Sequence, residues 1–95
     1  MTADEALTFV ELSLKGRSLT RVEQSVFVGV WQGLSYSEIA KQTGYDAGYI
    51  KLVSHKLWHL LTETFGEKVT KNTVQNLIRR QMQGKNQIYR QLLLI

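Results

Sequence analysis

The chain has 95 residues, 12 Lys and Arg against 8 Asp and Glu, a net charge of +4, and neither cysteine nor proline. That length suits one domain with a core of its own, while the missing cysteines exclude disulfides and thiolate metal sites and point to a reducing cytoplasm. No basic-then-apolar leader opens it, and its longest apolar run, Leu92 to Ile95, is far too short to span a bilayer, so a cytoplasmic protein with no membrane partner is expected.

Thr2-Ala3-Asp4-Glu5 is a capping box, in which the hydroxyl accepts the N3 backbone N–H and the glutamate reaches back to the N-cap N–H. It predicts helix 1 from Ala3 to about Lys15, with Ala6, Leu7, Val10 and Leu14 on one face and Gly16 just past its end. A second box, Thr20-Arg21-Val22-Glu23, starts helix 2, from Arg21 to about Gln32. Val22, Val26, Val30 and Leu34 recur there every four residues, beside Phe27 and Trp31. Val26-Phe27-Val28 alone would suit a strand, but the box before it and Gly33 after it decide for helix. The third box, Ser35-Tyr36-Ser37-Glu38, starts helix 3, about Tyr36 to Thr43, burying Ile39 and Ala40. In Gln42-Thr43-Gly44-Tyr45, Gly44 can take the positive φ of a tight turn. Asp46 then caps helix 4, about Ala47 to Thr64, with Ile50, Val53, Leu57, Leu60 and Leu61 inward. Phe65-Gly66-Glu67-Lys68 breaks the pattern, and helix 5 is expected after Thr70, burying Val74, Leu77, Ile78 and Met82. Beyond Gly84, Ile88 to Ile95 suits a helix or an extended segment, and periodicity does not decide.

These elements predict an all-α fold, a four- to five-helix bundle. Residues 1–84 would form the domain around a core unit at 20–64, and residues 85–95 an apolar tail. A short helix, a Gly-containing turn and a longer helix make a helix-turn-helix, the unit that docks a recognition helix into DNA.

If Ile50, Val53 and Leu57 face the core, then Ala47, Gly48, Lys51, Ser54 and His55 face away. With Tyr49 they are the expected base contacts. Small residues let the helix approach base edges, Lys51 and His55 can donate, and Tyr49 suits a phosphate or a thymine methyl. Arg21, Lys41, Lys56, Lys71, Arg79 and Arg80 are the expected phosphate contacts. Charge is segregated in keeping with this. Residues 1–14 hold Asp4, Glu5 and Glu11 and no base, whereas residues 68–95 hold Lys68, Lys71, Arg79, Arg80, Lys85 and Arg90 and no acid. The plainer reading of that asymmetry is a solvated cationic face.

Ile88, Leu92, Leu93 and Ile95 either close over the core or join copies of the chain, and they are the expected oligomer interface. His55 and His59 have the spacing of two metal ligands but lack a third, so no metal and no cofactor is expected. Trp31 and Trp58 read as core or core-edge aromatics, with a partner-binding surface as the other reading. Packing accounts for Tyr45 and leaves Tyr36 and Tyr49 exposed. There is no nucleophile–base motif, phosphate loop or inward carboxylate pair, so catalysis is not expected. The leading function is a non-catalytic transcriptional regulator binding double-stranded DNA as a homo-oligomer. The competing class is an adaptor or oligomerisation module that meets a protein partner through Trp58 and the tail. Fold does not choose between them.

Leu19-Thr20, Glu23, Gln32-Gly33-Leu34-Ser35, Glu38-Ile39-Ala40 and Ile50-Lys51 resemble the helix-turn-helix of LuxR-type regulators and of region 4 of sigma factors. That likeness implies a tetrahelical bundle whose last long helix enters the major groove, here Ala47 to Lys56. A nearer likeness covers about residues 3–80. Lys15-Gly16-Arg17-Ser18-Leu19-Thr20, Trp31-Gln32-Gly33, Tyr36-Ser37-Glu38-Ile39-Ala40, Gly44-Tyr45, Gly48-Tyr49-Ile50-Lys51, Leu57-Trp58 and Phe65-Gly66-Glu67-Lys68-Val69-Thr70-Lys71 resemble the N-terminal helix-turn-helix domain of vWA-MoxR-associated proteins. That family, common at the front of large cyanobacterial signalling ATPases, implies an adaptor or oligomerisation role before an ATPase. These residues carry no ATPase, so a stand-alone version or a piece of a longer protein is expected.

Overall fold

Four side chains set where the helices begin. Thr2, Thr20 and Ser35 accept the backbone N–H of Glu5 (3.1 Å), Glu23 (3.2 Å) and Glu38 (3.1 Å). Each glutamate takes the N-cap N–H in return. Asp46 Oδ2 accepts from the N–H groups of Gly48 (2.9 Å) and Tyr49 (3.4 Å). An N-cap of this kind contributes about 1 kcal/mol to its helix. The computed structural model describes the backbone of residues 1–93 and the side chains of residues 1–84. It contains α1 (Ala3–Ser13), α2 (Arg21–Trp31), α3 (Tyr36–Thr43), α4 (Ala47–Phe65) and α5 (Val74–Leu93). No strand occurs among the described residues, and the fold is all-α.

The helix-turn-helix is α3, Gly44 and α4. Gly44 has φ 79°, and its N–H donates to the Ala40 carbonyl at 2.9 Å. That left-handed residue turns the chain by the shortest route from α3 into the Asp46 cap. Elsewhere the helix ends depart from expectation. α1 stops at Ser13, and Lys15 (φ 51°), not Gly16, is the first left-handed residue. α5 starts at Val74 because a turn occupies 71–73. The Thr70 carbonyl accepts from Thr73 (3.2 Å) and Val74 (3.0 Å), and the Thr70 N–H donates to Thr73 Oγ1 at 2.9 Å. α5 then passes through Gly84 to Leu93, so residues 88–93 of the segment that periodicity left open are helical. The expected interface residues Ile88, Leu92, Leu93 and Ile95 lie outside the residues whose side chains are described.

The core is one cluster drawn from all five helices. Val10, Val26, Phe27, Ile39, Ile50, Leu57, Leu61, Leu77 and Ile78 are buried in it, each such aliphatic contributing about 1.5–3 kcal/mol. Phe9, not singled out by periodicity, joins it and stacks on Phe65 with centroids 6.1 Å apart. Leu7, Val22, Leu60 and Met82 are only half-buried at its edge.

Helix α2 packs closely on α3 at Gly29. A Cβ there would stand 2.6 Å from Ile39 Cγ1 and 2.7 Å from its Cδ1. Ile39 is itself buried and has nowhere to retreat. Gly29→Ala should therefore destabilise the domain by about 1–3 kcal/mol, the cost of overpacking a filled site. Gly84→Ala meets nothing within 4 Å in α5, and should stabilise by about 0.5–1 kcal/mol through helix propensity. Urea denaturation midpoints moving in opposite directions would establish the contrast.

Candidate nucleic-acid interface

α4 buries one stripe and offers the other. Ile50, Val53, Leu57, Trp58 and Leu61 are inward, while Ala47, Gly48, Tyr49, Lys51, His55 and Lys56 are exposed. Ser54 corrects the expected set of base contacts. It is 0% exposed, and its hydroxyl donates to the Lys51 carbonyl at 2.7 Å. Position 54 lies four residues after Ile50 and three before Leu57, which puts it in the buried stripe. Leu52 takes the outward place instead, at 52% exposure. The inward–outward division of a single helix, applied residue by residue, would have found it.

Gly48 has a structural duty. A Cβ there would stand 2.9 Å from Asp46 Oδ2, the oxygen that caps the helix. Its small size keeps that carboxylate in place. The free N–H groups of a helix start can bind an anion, but here Asp46 already holds two of them.

Beside α4 the chain forms a groove of about 760 Å³, lined by Tyr36, Lys51, His55, Trp58, His59, Thr62 and residues 68–72. Lys51 and His55, expected as base contacts, come together there with Lys71, expected as a phosphate contact, and with Lys68, which was not named as a contact. A chain of contacts from the core sets this wall. The buried Trp58 indole N–H donates to the Tyr36 hydroxyl at 3.1 Å, and Lys71 Nζ sits 4.7 Å over the Tyr36 ring. Thr62 Oγ1 donates to the Trp58 carbonyl (2.8 Å) and accepts the Val69 N–H (2.9 Å), tying the connector to α4. Trp58 is thus a buried core-edge aromatic that also lines the groove. Tyr36 is half-buried, and Tyr45, expected to pack, is exposed and leans on Tyr49 with centroids 5.3 Å apart. His59 pairs with Glu63 at 3.0 Å, placing a carboxylate on the C-terminal half of α4.

The other expected phosphate contacts lie apart. Arg21 lines a cleft with Gln42, Thr43 and Tyr45 at the helix-turn-helix turn. Lys41 and Lys56 are exposed on α3 and α4. Arg79 lies 5.7 Å over the Trp31 ring, and Arg80 makes a two-pronged pair with Glu67, 2.9 Å at its shorter contact. Among the described residues no group of three His, Cys, Asp or Glu could hold a metal ion, and no helix is long and apolar enough to cross a membrane.

A family model described as the vWA-MoxR associated protein N-terminal HTH matches residues 1–81. The chain belongs to that family. The match spans α1 through the first turns of α5, including the whole helix-turn-helix and the connector. No curated protein and no solved structure matches the chain. What the family membership adds to the geometry is a helix-turn-helix domain by sequence as well as by shape.

Glu38 joins the capping of α3 to this interface. Its carboxylate accepts the Ser35 N–H and lies within the field of Lys41 and Lys71. The Ser35 backbone N–H, then the Ser35 hydroxyl, hold its pKa below the usual carboxylate range against an opposing desolvation, with smaller help from Lys41 and Lys71. A depressed pKa contributes stability that is present above the ordinary value and lost as pH falls through the folded one. Ser35→Ala should move the Glu38 titration upward toward the ordinary value, and Lys71→Gln should move it by less. Both shifts are readable from the carboxyl resonance in an NMR titration.

Proposed function

We propose that this domain binds double-stranded DNA as the non-catalytic module of a transcriptional regulator, with α4 in the major groove. The observation that carries the reading is the exposed N-terminal half of α4, where Lys51 and His55 stand beside Lys71 on one open wall. Ala47 and Gly48 let the helix lie close to base edges, Lys51 and His55 donate to them, and Tyr49 and the exposed Leu52 suit thymine methyls. Arg21, Lys41, Lys56 and Lys71 meet phosphates on either side. Glu63 marks the end of the contact surface, since a carboxylate there would repel the backbone. Arg79 and Arg80 are left out of the set, because Glu67 already engages Arg80 and Arg79 lies in a separate cleft with Met1, Glu5 and Met82.

One such module covers too little duplex for tight specific binding, so two or more copies would act together. Ile88, Leu92, Leu93 and Ile95 are the proposed contact between them.

Fluorescence anisotropy with mixed duplex DNA, from low to physiological salt, tests the reading. Binding with a steep salt dependence is expected, and Lys51→Glu should abolish it while leaving helical circular dichroism intact. Absence of binding even at low salt would turn the search to protein partners. Truncation after Gly84 should give a folded monomer in sedimentation, and an unchanged oligomer would exclude the tail as the contact.

A further inference from the structure

The connector between α4 and α5 carries two cations, Lys68 and Lys71, on a backbone that the fold holds beside the recognition helix. Lys68 and Lys71 line the same groove as Lys51. Among the described residues, none of the three is paired with a carboxylate. The connector is anchored at three points. Val69 is buried and its N–H donates to Thr62 Oγ1, the Thr70 N–H donates to Thr73 Oγ1, and Lys71 lies over the Tyr36 ring. Tyr36 is in turn oriented by the Trp58 indole N–H. A lysine ordinarily loses rotamer freedom when it is fixed on a ligand. Lys71 begins partly ordered by the aromatic ring beneath it.

The usual anion site of such a helix is closed. Asp46 Oδ2 occupies the N–H groups of Gly48 and Tyr49 at the start of α4, so a phosphate cannot use them. A duplex lying on the exposed face of α4 must have its backbone held from the flank. On the flank where Lys51 and His55 stand, the cations available are those of the connector. The α5 arginines do not serve there, since Arg80 is matched by Glu67 and Arg79 lines a different cleft, with Met1, Glu5 and Met82.

We propose that Lys68 and Lys71, with Lys51 at the groove edge, form a clamp for the phosphate backbone of duplex DNA, built on the α4–α5 connector. The proposal rests on the DNA-binding reading above and names a phosphate-binding element within it. Lys68 enters as a contact that sequence reasoning did not select, and the connector becomes part of the interface, where it had looked like a break between helices.

The test is the salt dependence of binding to one mixed-sequence duplex, measured by anisotropy for the wild-type chain and three paired variants. Each phosphate that is no longer neutralised lowers the slope of log K against log salt concentration by about 0.9. Lys68→Gln with Lys71→Gln should therefore flatten the slope by about 1.8. Lys68→Arg with Lys71→Arg should keep it, as should Arg79→Gln with Arg80→Gln. Circular dichroism and thermal melting confirm that each pair is folded. An unchanged slope in the Lys→Gln pair overturns the clamp and leaves DNA binding standing. So does an equal flattening in the Arg→Gln pair, which would mean a diffuse charge effect. If the wild-type chain binds no duplex at low salt, the DNA-binding reading fails and the clamp fails with it.

Discussion

The absence of a side chain at position 29 is the constraint on which the rest depends. Ile39 fills the space that a Cβ at position 29 of α2 would take. Its burial brings α3 against α2 and fixes where α3 ends. From that end the chain has one left-handed residue, Gly44, before the Asp46 cap starts α4. Position and direction of α4 therefore follow from a contact made on a different helix, on the opposite side of the turn. Interiors are close-packed, so such a contact transmits displacement without absorbing it. A shift of α3 by a few tenths of an ångström would move the whole exposed face of α4.

A second relay runs outward from the core. Trp58 is buried among apolar residues, yet its indole nitrogen needs an acceptor. The Tyr36 hydroxyl supplies one, and the ring of Tyr36 then lies beneath Lys71. Thr62, one helical turn beyond Trp58, holds the connector by accepting the Val69 N–H. The same residues that satisfy polar groups at the edge of the core thereby place cations at its surface. Substitutions at Trp58 or Thr62 would alter packing and surface charge geometry together, whereas exchanging Lys51 alters charge alone.

Helix starts were the most legible part of the fold, because all three hydroxyl–glutamate boxes and the Asp46 cap lie within four consecutive residues. Local chemistry of that kind does not depend on the rest of the chain. α3 and the positive φ of Gly44 follow from the same local signals. The start of α5 was less legible, since the Thr70–Thr73 turn uses residues with no strong turn signature. Phe9 escaped because its burial depends on stacking with Phe65, far along the chain at the end of α4. Ser54 was misjudged, and Leu52 passed over, for another reason. A hydroxyl reads as surface and a leucine as core, yet their helical positions demand the reverse. Ser54 tolerates burial because its hydroxyl finds the Lys51 carbonyl within its own helix. Nor does spacing along the chain reveal that Lys68 and Lys71 meet Lys51 across a groove, since that depends on how the connector folds back over α4.

The chemistry of the exposed face bears on what kind of DNA recognition the proposed function would allow. Direct readout depends mostly on Arg, Asn or Gln making paired hydrogen bonds to guanine or adenine. The exposed N-terminal half of α4 has none of these, and Lys51 is its one long donor near the start. Apart from His55 and Lys56, its remaining outward residues are small, aromatic or aliphatic. Backbone contacts would therefore supply most of the affinity, and those carry no sequence information directly. What selectivity remains would come from apolar contact of Tyr49 and Leu52 with thymine methyls, a modest preference for one base-pair type. A module of that kind gains discrimination chiefly by repetition, when several copies must fit one duplex at fixed spacing. Electrostatic holding by the flanks and weak reading at the centre thus make self-association a physical requirement of specificity in this reading, and not merely an accessory to it.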